Sequence, residues 1–240
     1  MAGLLSIEHR GSVAVVTLQR PEKRNALSID LRVELTDSFR ALGDDGGVGC
    51  VVLTGAGSAF CAGMDVTQFG GDIGHRRRLV ETSTGAFEAL GSCRRPVIAA
   101  VNGPALAGGF ALALLCDLRI AAEDATLGFP ELPRGIPPSY ASARAALPPP
   151  VAAEVCLTGR VFSAREGLRL GAVSEVVPEG EALPRAIAIA EGIAAAPRAA
   201  TLETKRRILL ERERTFGPLF AEEARLFRET LLGGGNDDAA

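Results

Sequence analysis

Histidine is almost missing from this chain. His9 and His75 are the only two. Both lie in polar sequence without a partner at metal-ligand spacing, so they read as exposed bystanders and no metal site is expected. The five cysteines, at 50, 61, 93, 116 and 156, are odd in number and form no CxxC pair. Neither disulfides nor zinc is expected, and a reducing cytoplasm is the expected compartment. Cys50, Cys116 and Cys156 fall in apolar runs and read as small core residues. No Gly-Lys-Ser/Thr occurs, which excludes a P-loop. Thr54-Gly55-Ala56-Gly57-Ser58-Ala59 follows a strand but has Phe60 where a dinucleotide loop would place its third glycine. No excess of one charge exists: 26 basic and 29 acidic residues leave a net charge of −3. That argues against a nucleic-acid partner, and His75-Arg76-Arg77-Arg78 reads as a solvated loop or helix face. The N-terminus lacks a basic flank followed by a long apolar region, so no signal peptide is read there. No apolar run is long enough to span a membrane, because Asn102, a Gly-Pro turn and Asp117 bound the longest one.

What remains is a 240-residue chain with 47% hydrophobic residues, enough for one large domain or one domain with an appendage. Val13–Leu18, Cys50–Leu53, Pro96–Val101, Leu118–Ala122 and Thr126–Phe129 read as strands. Ser28 reads as an N-cap, followed by Leu31, Leu35, Phe39 and Leu42 at helical spacing to a stop near Gly43. A second helix is expected around Leu79–Leu90. This alternation predicts an α/β architecture. After Pro178 the strands cease, and Ala186–Ala195, Ala199–Arg214 and Leu219–Leu232 read as helices. The chain is therefore divided into a core, residues 1–182, and a helical region, residues 183–240, with Gly233–Asp238 as a frayed tail.

The richest stretch is Val97–Asp117, VIAAVNGPALAGGFALALLCD. It reads as a buried strand, a tight turn, and a buried helix opening on Gly108 and Gly109. A helix start offers unpaired N–H groups and partial positive charge, and glycine lets a ligand approach them. A second glycine turn, Ala59-Phe60-Cys61-Ala62-Gly63-Met64-Asp65, is either a loop capped by Asp65 or a second donor. In the latter case the Met64 N–H faces the same cavity as the Gly108 N–H, and two preorganised donors suit an oxyanion.

Four blocks carry a family resemblance: Arg20–Leu27 (RPEKRNAL), Ala59–Asp65 (AFCAGMD), Val101–Asp117 and Phe129–Gly135 (FPELPRG). In order and spacing they resemble the crotonase, or enoyl-CoA hydratase/isomerase, superfamily. The resemblance implies a crotonase-like spiral of ββα repeats with a C-terminal helical trimerisation region. It implies an acyl-CoA substrate with no cofactor beyond that CoA, and a homotrimer or dimer of trimers. The thioester carbonyl would lie between the N–H groups of Met64 and Gly108. Arg24, Ala26, Ala62 and Asp65 would line the CoA arm. Lys205 and Phe227 match positions near the CoA nucleotide, often across a subunit boundary; equally they read as an exposed helix lysine and a core or interface phenylalanine.

The chain departs from its relatives at one decisive place. Hydratases of the superfamily usually carry two glutamates, and the one on the buried helix is here Ala111. The other is present as Glu131. The position after Ala-Gly-x-Asp that is often lysine is here Thr67, and the loop after Glu131 is about one residue shorter than is common in the family. Adding water needs one group to activate it and another to protonate the α-carbon. Glu131 alone can take and return a proton, which is isomerisation, or activate water against the thioester, which is hydrolysis. It can also be a structural acid beside a proline turn. The remaining readings are a catalytically silent acyl-CoA binder or an RNA-binding relative, the last disfavoured by the net charge. Tyr140, the only tyrosine, reads as packing with its hydroxyl at the surface.

Overall fold

A computed structural model describes residues 3–232. The first strand β1 (Leu5–Arg10) pairs antiparallel with β2 (Val13–Leu18), and the sheet then grows by parallel addition of β3 (Cys50–Gly55), β4 (Val97–Val101), β6 (Leu118–Ala122) and β9 (Glu175–Val177). Buried on both faces, β3 and β4 are continuous apolar runs, as central parallel strands require. A second sheet joins β5 (Ala105–Leu106), β7 (Thr126–Gly128) and β8 (Val161–Ser163). The chain steps from large sheet to small sheet at β4–β5 and again at β6–β7, and returns at β8–β9. This stepping is the spiral that the resemblance implies.

Between the strands run α1 (Ile29–Asp44), α2 (Ile73–Gly91), α3 (Gly108–Leu115), α4 (Tyr140–Ala146), α5 (Pro149–Thr158) and α6 (Ala164–Leu170), followed by α7 (Ala182–Ala195) and α8 (Arg198–Leu232). Ser28 caps α1 by accepting from the Leu31 N–H, and Asp72 caps α2 by accepting from the His75 N–H. The cap at Asp72 starts α2 six residues before the expected Leu79, so the basic run lies on a helix face. Leu31, Leu35 and Phe39 of α1, Ala86 and Leu90 of α2 and nearly all of α3 fill the main core. α3 is apolar all round because it is enclosed on every side.

Two boundaries differ from the sequence reading. Ala186, Ile187 and Ala190 of α7 bury against Val13, Val15, Val52 and Ile98 on the other face of the large sheet. α7 therefore completes the core, and a division at 182/183 cuts through a packed layer. The two expected C-terminal helices are one, α8, with Pro218 inside it. Phe216 and Phe220 stack at 4.7 Å between ring centroids on either side of Pro218, and Phe220 meets Phe87 at 6.1 Å. This burial outweighs the single helix bond that proline removes. The expected tail at Gly233–Asp238 lies outside the described residues.

α8 is tied to the sheet by a buried ion cluster. Lys205 Nζ donates to both Asp117 carboxylate oxygens at 2.8 and 2.7 Å, and Arg212 reaches the same carboxylate at 3.4 Å. Lys205 is only 2% exposed. It is thus neither the exposed helix lysine nor a free cation for CoA phosphate; its charge is consumed by Asp117. All five cysteines are free and buried, and burial pushes the thiols of Cys50, Cys61 and Cys116 up to about 12, which makes them inert packing groups.

Candidate active site

The site begins with two loops laced together. Arg24 and Asn25 both take positive φ, 49° and 56°, which turns the chain sharply after the short helical turn Pro21–Lys23. Asn25 is fully buried and its amide donates to the Ala56 and Ala59 carbonyls at 2.9 and 2.8 Å. Its carbonyl oxygen accepts from the Arg20 N–H at 3.0 Å. Asparagine suits this place because its amide both donates and accepts. The Ala62 N–H donates to the Arg24 carbonyl, the Leu27 N–H to Gly63 and the Asp65 N–H to Leu27. The Arg20 guanidinium reaches the Ala26 carbonyl and, at 3.0 Å, the Asp65 carboxylate. Arg20 was not singled out from sequence; nothing local to it signals a partner 45 residues away.

Asp65 also accepts from the Thr67 N–H and hydroxyl, capping the short turn Val66–Gln68. Burial pushes its carboxyl up, but the hydrogen bonds from Thr67 and Arg20 outweigh burial and hold it below the usual range. Arg24 is exposed, while Ala26 and Ala62 are half-buried. The structure thus brings these expected CoA-side residues onto one pair of bonded loops. Phe227 lies far along the chain on α8, half-buried.

The two expected donors do come together. A Cβ on Gly108 would stand 3.6 Å from the Met64 nitrogen, and one on Gly63 would stand 3.2 Å from the Gly108 nitrogen. The residue before α3, Ala107, has φ 51° and ψ −125°, a conformation natural to glycine and strained for alanine. It is held by an N–H bond to the Gly128 carbonyl at 2.9 Å. This turn aims the first N–H groups of α3 at the space beside Met64. Among the described residues neither the Met64 nor the Gly108 N–H has a hydrogen-bond acceptor in the protein. Leu27 and Phe87 approach the Gly108 position at 3.4 and 3.5 Å and give the pair an apolar wall.

The small sheet sets the segment that leads into Glu131 against the start of α3. Leu106 pairs with Gly128, and Phe110 packs on Phe129 at 4.9 Å between centroids. Glu131 follows at once, at the start of the turn Leu132–Arg134. Its Oε2 is buried without a hydrogen-bond partner. Burial pushes the carboxyl up to about 7, against the smaller lowering effects of its own backbone N–H and of Arg134. Such a carboxyl can both accept and release a proton near neutral pH. Ala111, one turn into α3, is 1% exposed and offers no second acid. Among the described residues no group of three or more His, Cys, Asp or Glu side chains could hold a metal. Among the described residues no helix is long and apolar enough to cross a membrane.

A family model for enoyl-CoA hydratase/isomerase matches residues 8–232. The chain belongs to this enzyme family. A Thermus thermophilus protein whose name places it among the enoyl-CoA hydratases is 41% identical over 193 residues, covering 77% of this chain and 76% of its own. Enoyl-CoA hydratase EchA19 of Mycobacterium tuberculosis is 36% identical and covers 79% of this chain and 74% of its own. In structure, an enoyl-CoA hydratase/isomerase from Xanthobacter autotrophicus Py2 superposes with a TM-score of 0.87 at 32% identity, covering 99% of this chain and 90% of its own.

Proposed function

We propose that this family member acts on an unsaturated acyl-CoA thioester by moving its double bond rather than by adding water. The Met64 and Gly108 N–H groups hold the thioester oxygen as it gains enolate charge. Glu131, ionised, takes a proton from C2 of a 3-enoyl-CoA; the electron pair spreads through the dienolate onto that oxygen. Glu131, now protonated, returns the proton to C4, leaving the 2-enoyl-CoA. One carboxyl suffices because the enolate stays bound between the steps. No cofactor takes part; CoA enters as part of the substrate. Its arm runs along Arg24, Ala26, Ala62 and Asp65, and Phe227 contributes at the nucleotide end. Lys205 is omitted because Asp117 already binds it.

One observation carries this reading: Glu131 has an unpartnered oxygen and a pKa raised to about 7, while Ala111 occupies the place of the second acid. A homotrimer or dimer of trimers, in the cytoplasm, completes the proposal. The exposed Ile208, Leu210, Leu219 and Leu226 on α8 support a partner surface there.

The test is incubation with a 3-enoyl-CoA, crotonyl-CoA and butyryl-CoA in deuterated water, followed by chromatography and mass spectrometry. Conversion of the 3-enoyl to the 2-enoyl ester, lost in Glu131→Gln, is expected. A mass gain of one water on crotonyl-CoA at a comparable rate would establish hydration instead. Release of free CoA would establish hydrolysis, and saturable binding without product would establish a silent binder.

A further inference from the structure

Arg32 is the most deeply buried cation of the described chain, with none of its surface exposed. It lies on α1 one turn after Ser28, on the face that packs against α2. Its Nη1 is engaged: it donates to the Ser83 hydroxyl at 2.8 Å and to the Met64 thioether sulfur at 3.2 Å. Its Nε and Nη2 are buried without any partner. Among the described residues no carboxylate lies within hydrogen-bond distance of it; Asp65, the acid whose charge it feels, is bound to Arg20 and Thr67. Burying a guanidinium without a counter-ion is unfavourable, and buried donors left unmade are rare enough to need a reason.

The free edge has a specific shape. Nε–H and the neighbouring Nη2–H point the same way and form the side-on fork that matches the two oxygens of a carboxylate. The end that is occupied, Nη1, fixes the guanidinium so that this fork is left over. Its position is equally specific. Ser83 and Phe87 share one face of α2, about one turn or 5.4 Å apart, and Phe87 touches the Gly108 position. Met64 supplies one of the two free N–H groups and, through its own side chain, meets Arg32. Arg32 and the paired N–H groups are therefore bridged by one residue, Met64, whose thioether meets the guanidinium and whose N–H is one of the pair.

Resting on the acyl-CoA reading above, we propose that Arg32 binds a carboxylate at the far end of the acyl group, so that the substrate is the CoA monothioester of a short dicarboxylic acid. A neutral acyl oxygen would fill the donors and leave the buried charge uncompensated. A carboxylate does both. A plain alkyl chain in the same place would lie against an unsatisfied cation.

Saturated esters test this without chemistry. Butyryl-CoA and glutaryl-CoA are titrated calorimetrically into the intact protein and into Arg32→Met and Arg32→Lys, with thermal melts as a check of folding. The intact protein binds glutaryl-CoA roughly tenfold or more tightly than butyryl-CoA, the scale of one charge-assisted pair. In Arg32→Met the preference falls to within about twofold of none, and Arg32→Lys retains part of it because a point charge lacks the fork. Equal binding of the two esters by the intact protein overturns the proposal and leaves the acyl-CoA reading standing. So does a preference that survives in a folded Arg32→Met. If neither ester binds, the acyl-CoA reading itself fails and this inference with it. Should Arg32→Met not fold, the ratio in the intact protein and in Arg32→Lys still decides.

Discussion

Gly109 packs so tightly beneath Cys61 that a Cβ on it would lie 2.1 Å from the Cys61 carbonyl oxygen. Its neighbour Gly108 has no such contact; the same atom there would meet Leu27 and Phe87 at ordinary distances and stand beside the Met64 nitrogen. Two adjacent glycines thus have separate physical reasons, one for backbone packing and one for an open space. Gly109→Ala is expected to destabilise by about 3 kcal/mol or more, since backbone must move to admit the methyl. Gly108→Ala is expected to cost under about 1.5 kcal/mol while lowering turnover about 10²–10³-fold, because its methyl occupies the space before the two N–H groups, on the scale of losing one oxyanion donor. Urea unfolding and steady-state kinetics on the two variants separate the effects, and equal loss of stability in both would contradict the assignment.

Glu131 links activity and stability to pH in opposite senses. Its folded pKa is raised from 4.5 to about 7 by burial. The base form is the ionised one, so kcat/KM for a 3-enoyl-CoA should rise about tenfold per pH unit up to pH about 7 and then level off. A raised carboxyl pKa means that the folded state holds its proton longer than the unfolded state. Stability contributed by the neutral form is therefore full below about pH 4.5 and is lost as pH rises toward 7, by up to about 3 kcal/mol. Glu131→Gln, which cannot ionise, should match the parent near pH 4.5 and exceed it at pH 8, while turnover falls about 10³-fold. A parent that is as stable as the variant at pH 8 would mean that the carboxyl is not strained by burial.

Lys205 and Asp117 form a test of position rather than chemistry. Asp117→Asn leaves the buried Lys205 without its counter-charge and should cost about 3–5 kcal/mol. Lys205→Met should cost less, because Arg212 still reaches Asp117. In folded Lys205→Met, CoA-ester affinity should stay within about twofold of the parent. A large affinity loss at unchanged stability would return Lys205 to the binding site. Denaturant melts and calorimetric titration give both readouts.

How much of this was visible in the sequence differs from residue to residue. The strands Val13–Leu18 and Leu118–Ala122 read correctly to the residue because they are buried β-branched and apolar runs. Ser28 read correctly because a cap is a local event. β1 was invisible: every residue but Leu5 is exposed, so neither an apolar run nor alternation marks it. The break expected between Arg214 and Leu219 is absent because Phe216, Phe220 and Phe87, on elements far apart in sequence, pack together across Pro218 and override a local rule. Met64, Gly108 and Glu131 were singled out by their motifs, and the structure sets the Met64 and Gly108 nitrogens side by side. Arg32 and Arg20 were not singled out, because an arginine in an amphipathic helix or a polar loop carries no local sign of being enclosed. Lys205 was misread for the same reason: its partner lies 88 residues upstream.

Ala107 offers the sharpest separation of stability from function. Its φ of 51° with ψ of −125° costs an alanine about 1–3 kcal/mol, and its methyl is pressed toward Gly63, where an added Cβ would meet it at 2.8 Å. Glycine adopts this conformation freely but gains entropy in the unfolded chain worth about 0.5–1 kcal/mol. The strain relieved exceeds that entropy, so Ala107→Gly should stabilise by about 1 kcal/mol. The same freedom loosens the turn that aims the Gly108 N–H, since the steric restriction of φ is gone and the turn is held by the Ala107 N–H bond to Gly128 and the Ala111 N–H bond to the Ala107 carbonyl. Turnover should fall several-fold with little change in KM, as expected when a donor acts mainly on the developing charge. A higher melting temperature together with a lower kcat would show that the strain at Ala107 serves the site; a lower melting temperature would show that the alanine is at ease there and that the turn is set by packing alone.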